Sequence, residues 1–159
     1  MPVSLDVPVT SSARNSVLAA AIAIRYRVPA EKIARGLESV RSVAGRITRC
    51  DRGQDFTVFV DRPSSGHAIA STLSSLRRLG NGRLLVLAEE SLAEQLGGEE
   101  RFASRASRWC DQTLVVPRGI ASEKATDRAL GAYARLAREL SPLHAGDAVC
   151  VLGSVPQLD

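Results

Sequence analysis

VAGRITRCDRGQDFTVFVD, residues 43–61, decides how the rest of the chain is read. Ala44-Gly45-Arg46 is one turn signal and Asp51-Arg52-Gly53 a second. Phe56 to Val60 is a β-branched and aromatic run of the kind that forms a buried strand. The run ends in Asp61 and passes at once into Arg62-Pro63-Ser64-Ser65-Gly66 and a helical pattern. That order puts a carboxylate at the carboxyl edge of a sheet, where α/β folds bind ligands. Arg46 and Asp61 are therefore the leading site candidates, with a capping Asp and a solvated Arg as the structural alternative.

Downstream, Ala68 to Leu79 places Ile69, Leu73, Leu76 and Leu79 on one helical face, and Gly80-Asn81-Gly82 stops it. Arg83 to Leu87 reads as a fully buried strand, and Glu89 to Gln95 is ambiguous. A helix from about Glu99 to Trp109 precedes a strand at Gln112–Val116, which Pro117 closes. Ser122 to Leu140 is the longest helix, with Ala125, Leu130, Tyr133, Leu136 and Leu140 near one stripe, and a last strand spans Ala148 to Leu152. Strands alternating with helices at this spacing require right-handed crossovers and a mostly parallel sheet. The expected fold is an α/β, Rossmann-like three-layer domain. No GxGxxG follows a strand and no GxxxxGK[ST] phosphate loop occurs.

Upstream, Val3 to Val9 alternates apolar and polar, and Pro2 and Pro8 limit it to an edge strand. Thr10, Ser11 and Ser12 are N-cap candidates for an Ala-rich helix from Arg14 to Arg25, with its stripe at Val17, Leu18, Ala21, Ile22 and Ile24. Pro29 opens a second helix, Ala30 to Val40. This short helical hairpin precedes the α/β domain, with a boundary that divides residues 1–42 from 43–159.

A chain of 159 residues holds one domain with a core, or one domain and an appendage. Aromatic residues make up 4%, so Leu, Val, Ile and Ala must build the core, which favours α/β over a β-sandwich. The net charge of +4 comes almost entirely from scattered Arg, which does not describe a nucleic-acid stacking platform or groove-reading helix. Cys50, Cys110 and Cys150 lie far apart, as buried free thiols would, and no metal site is expected. The apolar run from Val17 to Ile24 is too short to span a bilayer, so no membrane partner and a cytoplasmic location are expected. Among other polar residues, His67 reads as a surface residue and His144 as structural. Glu89, Glu90 and Glu94 read as a solvated face, and Trp109 as packing the end of its helix.

The succession RNSVLAAAIA from Arg14, PAEKIARGLE from Pro29, VAGR at Val43 and QDFTVFVD at Gln54 resembles the Mur ligases, most closely the UDP-N-acetylmuramoyl-tripeptide synthetase branch. The later LSSLRRL, GRLLVL, WCDQTLVV and GDAVCVLG pieces keep the family's order. The resemblance implies the tail of a central ATPase domain in residues 1–42 and a Mur-ligase-like C-terminal α/β domain in residues 43–159. It implies ATP with Mg2+ in a full-length parent, and UDP-muramoyl peptide and an amino acid as substrates. By motif position Asn15 lies near the adenine, Arg46 at the terminal phosphate as the catalytic cation, and Asp61 at the ribose. Arg118 is the one remaining carboxylate anchor for the amino acid. The missing ATPase domain would lie in the same chain. No cofactor is expected on the isolated chain, which is expected to be inactive. The sequence departs from the family where Ser64 replaces a histidine, where residues 88–98 are acidic instead of basic, and where Gly153-Ser154-Val155-Pro156-Gln157 ends the pattern. Those departures favour a competing reading, a divergent binding or scaffold module that keeps the fold without the chemistry.

Overall fold

The computed structural model describes residues 10–40, 43, 46–117 and 127–153, and excludes the side chains of residues 10, 11, 127–130 and 133. The edge strand expected at residues 3–9 and the anchor expected at Arg118 lie outside the described residues.

Leu84–Glu89 (β3) begins with five consecutive buried residues, Leu-Leu-Val-Leu-Ala, because the strand is covered on both faces. It lies between Ala148–Leu152 (β5) and Gln112–Val116 (β4), parallel to both, with Val86 opposite Cys150 and Leu87 opposite Leu114. Thr57–Asp61 (β2) pairs parallel with the other side of β5, and Thr48–Cys50 (β1) adds an antiparallel edge to β2. The order is β1-β2-β5-β3-β4. β1 is a strand that the sequence pattern did not suggest. It is three residues long and is made by the Asp51-Arg52-Gly53 turn, in which the Asp51 carboxylate accepts from the Gly53 N–H at 3.1 Å and Gly53 takes φ 86°.

Helices Gly66–Arg77 (α3), Glu90–Gln95 (α4) and Glu99–Ala106 (α5) cover one face. Ile69, Leu73, Leu76, Ala93, Phe102 and Ala106 pack there on Phe59, Val86, Cys150 and Leu152. Asp127–Leu140 (α6) covers the opposite face, where Leu136 and Leu140 meet Leu85, Leu87, Leu114 and Val149. The steps from β2 to β3 and from β3 to β4 run one way across the sheet, with helices on the first face. The step from β4 to β5 runs back with its helix on the other face. Reversing both direction and face preserves the hand, as parallel crossovers require.

Thr10–Arg25 (α1) and Ala30–Ser39 (α2) form the expected hairpin, and α1 packs on α2 and α3. α1 begins four residues earlier than its Ala-rich core suggests. Its apolar stripe is uncovered among the described residues, with Val17 70%, Leu18 61% and Ile24 65% exposed. Leu79, expected on the core face of its helix, lies beyond the last residue of α3 and is 53% exposed. Glu89 and Glu90, expected on a solvated face, are half-buried where β3 turns into α4. Cys110 and Cys150 are buried free thiols, and Cys50 is half-buried.

Carboxylates tie the entry side of the sheet together. Asp111 accepts from the Leu84 N–H at 2.7 Å and from Arg77 at 2.9 Å. Asp147 accepts from the Arg83 N–H at 2.7 Å and the His144 N–H at 3.0 Å. A Cβ at Gly82 would collide with the Gly146 carbonyl, so glycine is required where the two strands enter. The N–H groups of His144 and then Arg83 favour the ionised Asp147 and hold its pKa below the ordinary 3.8. A carboxyl that titrates lower when folded stabilises the fold fully above its unfolded pKa, and the contribution is lost as pH falls through the folded value. Asp147→Asn is therefore expected to be less stable near neutral pH. Its urea midpoint should also fall less than that of the unaltered chain as the pH is lowered below the ordinary carboxyl value of 3.8.

Candidate functional site

The site grows from one corner where β1, β2 and α3 meet. Asp61 closes β2 and is only 4% exposed. A buried carboxylate is tolerated when donors replace water, and here two do. Its Oδ1 accepts from the Ile47 N–H at 3.3 Å, and its Oδ2 accepts from the Thr72 hydroxyl at 2.7 Å. Ile47 holds φ 31°, a left-handed value that costs a β-branched residue roughly 1–3 kcal/mol and persists only where its surroundings impose it. The Asp61 carbonyl accepts from the Gly153 N–H at 3.1 Å, which brings the end of β5 to the same corner. Asp61 caps no helix, since Ser65 is the N-cap of α3 and accepts from the Ala68 N–H at 3.2 Å.

Arg46, next to Ile47, is exposed. Its guanidinium donates to the Arg62 carbonyl at 3.1 Å, and its backbone N–H donates to the Val43 carbonyl at 2.9 Å. The cation thus stands at the rim, directly over the turn that leaves Asp61. Between this corner and the helical hairpin lies a cleft of about 580 Å³, lined by Arg14, Asn15, Arg46, Asp61, His67 and Thr72 together with apolar residues of both parts. The structure therefore brings together Asn15 from the hairpin with Arg46 and Asp61 from the α/β part. His67 is exposed at the rim of this cleft. A second cavity of about 290 Å³ lies at the carboxyl end of β4, lined by Glu90, Glu99, Pro117 and Arg135. It sits where the chain leaves β3 and β4 towards opposite faces, the usual ligand position in open α/β sheets.

Thr72 and the Ile47 backbone are the parts of the site that sequence reasoning missed. Thr72 carried a signal: it lies among Ile69, Leu73 and Leu76 on the buried face of α3, and a buried hydroxyl needs a partner. Nothing in the residue type of Ile47 announces a left-handed backbone.

The charges suit an anion carrying hydroxyl groups. Arg14 and Arg46 are cationic, and Asp61 is the one acidic residue among the described residues lining the cleft. Burial, with the Asp61 charge adding to it, pushes the Cys150 thiol far above its ordinary range, and burial pushes Cys110 up to about 11. Neither supplies a thiolate near neutral pH. No group of three or more metal-ligating side chains is found among the described residues. Asp61→Ala leaves two buried donors, the Ile47 N–H and the Thr72 hydroxyl, without their acceptor. The substitution is expected to lower unfolding free energy by about 1.5–3 kcal/mol, the range for hydrogen bonds to a charged group, as read from urea denaturation.

No family model matches the chain. In sequence it is 40% identical over 87 residues to the UDP-N-acetylmuramoyl-L-alanyl-D-glutamate–2,6-diaminopimelate ligase of Corynebacterium efficiens, covering 55% of this chain and 16% of that protein. It is 29% identical over 101 residues to a UDP-N-acetylmuramyl-tripeptide synthetase of Roseiflexus, covering 64% and 20%. The matched stretches thus span less than a quarter of the length of these relatives. Its fold matches the UDP-N-acetylmuramate–alanine ligase of Thermotoga maritima with a TM-score of 0.64 at 14% identity, over 98% of this chain and 37% of that one. It matches a pseudomurein peptide ligase type C of Methanothermus fervidus with a TM-score of 0.61 at 19% identity, over 96% and 35%. The chain is thus related in sequence to the C-terminal portion of Mur ligases, the 2,6-diaminopimelate ligases among them, and has the fold of a Mur ligase C-terminal domain.

Proposed function

We propose that this chain is the C-terminal, substrate-closing part of a cytoplasmic, Mur-ligase-like, ATP-dependent amide ligase of cell-wall precursor synthesis, and that residues 1–42 are the tail of its central ATPase domain. The observation that supports this reading most is the cleft. Asn15, Arg46 and Asp61, the three residues that the resemblance assigns to the nucleotide, line one cavity across the expected domain boundary. The donor set fits ATP. The Asn15 amide suits an adenine edge, and the Arg46 guanidinium offers forked, charged donors to a terminal phosphate. Lone pairs left on the Asp61 carboxylate accept from a ribose hydroxyl. ATP with Mg2+ would supply the phosphoryl group that activates a carboxyl of the UDP-muramoyl peptide for attack by an amino acid. This chain's part is to orient and neutralise the terminal phosphate through Arg46.

Arg118, which follows Pro117 in sequence, would hold the carboxylate of the incoming amino acid, as the resemblance implies. The apolar stripe of α1, uncovered among the described residues, is in keeping with a larger protein, because a helix face this apolar is ordinarily packed. The phosphate loop and the magnesium site would then belong to the ATPase part, and the 159 residues alone would not turn over substrate. The second reading, a scaffold or binding module, is favoured by Ser64 in place of the family histidine and by acidic residues 88–98.

Calorimetric titration of the 159-residue chain with MgATP should give no binding heat; micromolar binding would instead favour a small nucleotide-binding regulator. The gene upstream of Met1 should encode a G-K-[ST] phosphate loop, and a native start codon at Met1 would support the scaffold. In a chain that includes that ATPase region, Arg46→Ala should lower ATP-dependent phosphate release by about 10²- to 10³-fold. Unchanged release would remove Arg46 from the mechanism.

A further inference from the structure

We propose that Thr72 is a positioning residue for Arg46, acting through Asp61. The inference deepens the nucleotide reading above and rests on it for its functional meaning, although its test needs no nucleotide. Thr72 lies on the buried face of α3, is 4% exposed, and donates to Asp61 Oδ2 at 2.7 Å. A carboxylate turns readily about its last torsion, so one donor leaves its plane loosely set. A β-branched Thr is stiff at χ1, and its hydroxyl sets that plane so that Oδ1 faces the Ile47 N–H. The Ile47 amide then holds a conformation that the residue would otherwise leave, φ 31° at a β-branched position 9% exposed.

Arg46 precedes Ile47, so the direction of the peptide between them sets where the Arg46 side chain departs. The side chain returns to the same turn, donating to the carbonyl of Arg62, the residue after Asp61. Arg46 is therefore fastened twice to the end of β2, through its backbone neighbour and through its guanidinium. Without the Thr72 hydroxyl, the carboxylate rotates, Ile47 relaxes towards ordinary backbone angles, and Arg46 leaves its place over the cleft. Thr72 also lines the cleft, and the effect proposed here is the one it exerts through Asp61.

The test is amide hydrogen exchange by NMR on the 159-residue chain, comparing Thr72→Val, Thr72→Ala and Thr72→Ser with the unaltered protein. In Thr72→Val, a near-isostere without the donor, the Ile47 amide should exchange about tenfold faster or more, and the Arg46 Nε–H resonance should shift. The amides of Val86 and Cys150, at the centre of the sheet, should keep their rates. Thr72→Ser, which restores the donor, should restore both signals. Thr72→Ala should repeat the valine result and serves if valine prevents folding. An Ile47 rate within about twofold of the unaltered chain in both donor-free variants, or no recovery with serine, would overturn the proposal. Loss of the Arg46 effect on phosphate release would instead strike the nucleotide reading and leave this coupling standing.

Discussion

A carboxylate taken out of water must be given donors, and the Asp61 side chain is where this protein meets that constraint. One oxygen faces a backbone N–H at the start of the edge hairpin, and the other faces a hydroxyl on the first crossover helix. Removing either donor would leave a buried charge partly unpaired, which is far costlier than losing an exposed contact. The interaction therefore fixes how β1, β2 and α3 meet, and the cleft is built on that corner. The Cys150 thiol near the same charge remains neutral, so the cluster carries one charge and no competing nucleophile.

The sheet supplies the rigid base for this corner. Parallel strands covered by helices on both faces need continuous apolar runs, and β3 and β5 have them, while β4, at the edge of the sheet, buries only Leu114. With few aromatic residues, the core is filled by Leu, Val, Ile and Ala, with Phe59 and Phe102 as the large exceptions. The entry side is pinned by Asp111 and Asp147 on backbone N–H groups, and the exit side carries the two cavities.

Much of this was legible in the sequence, for a physical reason: buried parallel strands and amphipathic helices write their periods locally. β4 and β5 fall where their apolar runs predicted, and α3 lies two residues upstream of its expected position because its cap, Ser65, precedes the apolar stripe. β1 was not legible, because a three-residue strand has no periodicity to read. The candidate trio Asn15, Arg46 and Asp61 was found by motif order, and the structure gathers it in one cleft. The partners that hold Asp61 were not found, since a hydrogen bond between residues 61 and 72 and a left-handed isoleucine follow from tertiary packing. The exposure of Val17, Leu18 and Ile24 was also hidden, because an apolar stripe records that a face is meant to be covered and not what covers it.

The helical hairpin supplies one wall of a polar cleft, and under the proposed function Arg46 works at the rim of that cleft. At present its guanidinium rests on the Arg62 carbonyl, a weak neutral acceptor beside the open cleft. A terminal phosphate is a stronger, charged acceptor for the same donors. The most direct measurement is a crystal structure of this chain together with its ATPase region and a non-hydrolysable ATP analogue. The result predicted is Arg46 within about 3 Å of the terminal phosphate, with Asn15 and Asp61 on the same nucleotide. A nucleotide bound away from the cleft, with Arg46 still on the Arg62 carbonyl, would contradict it.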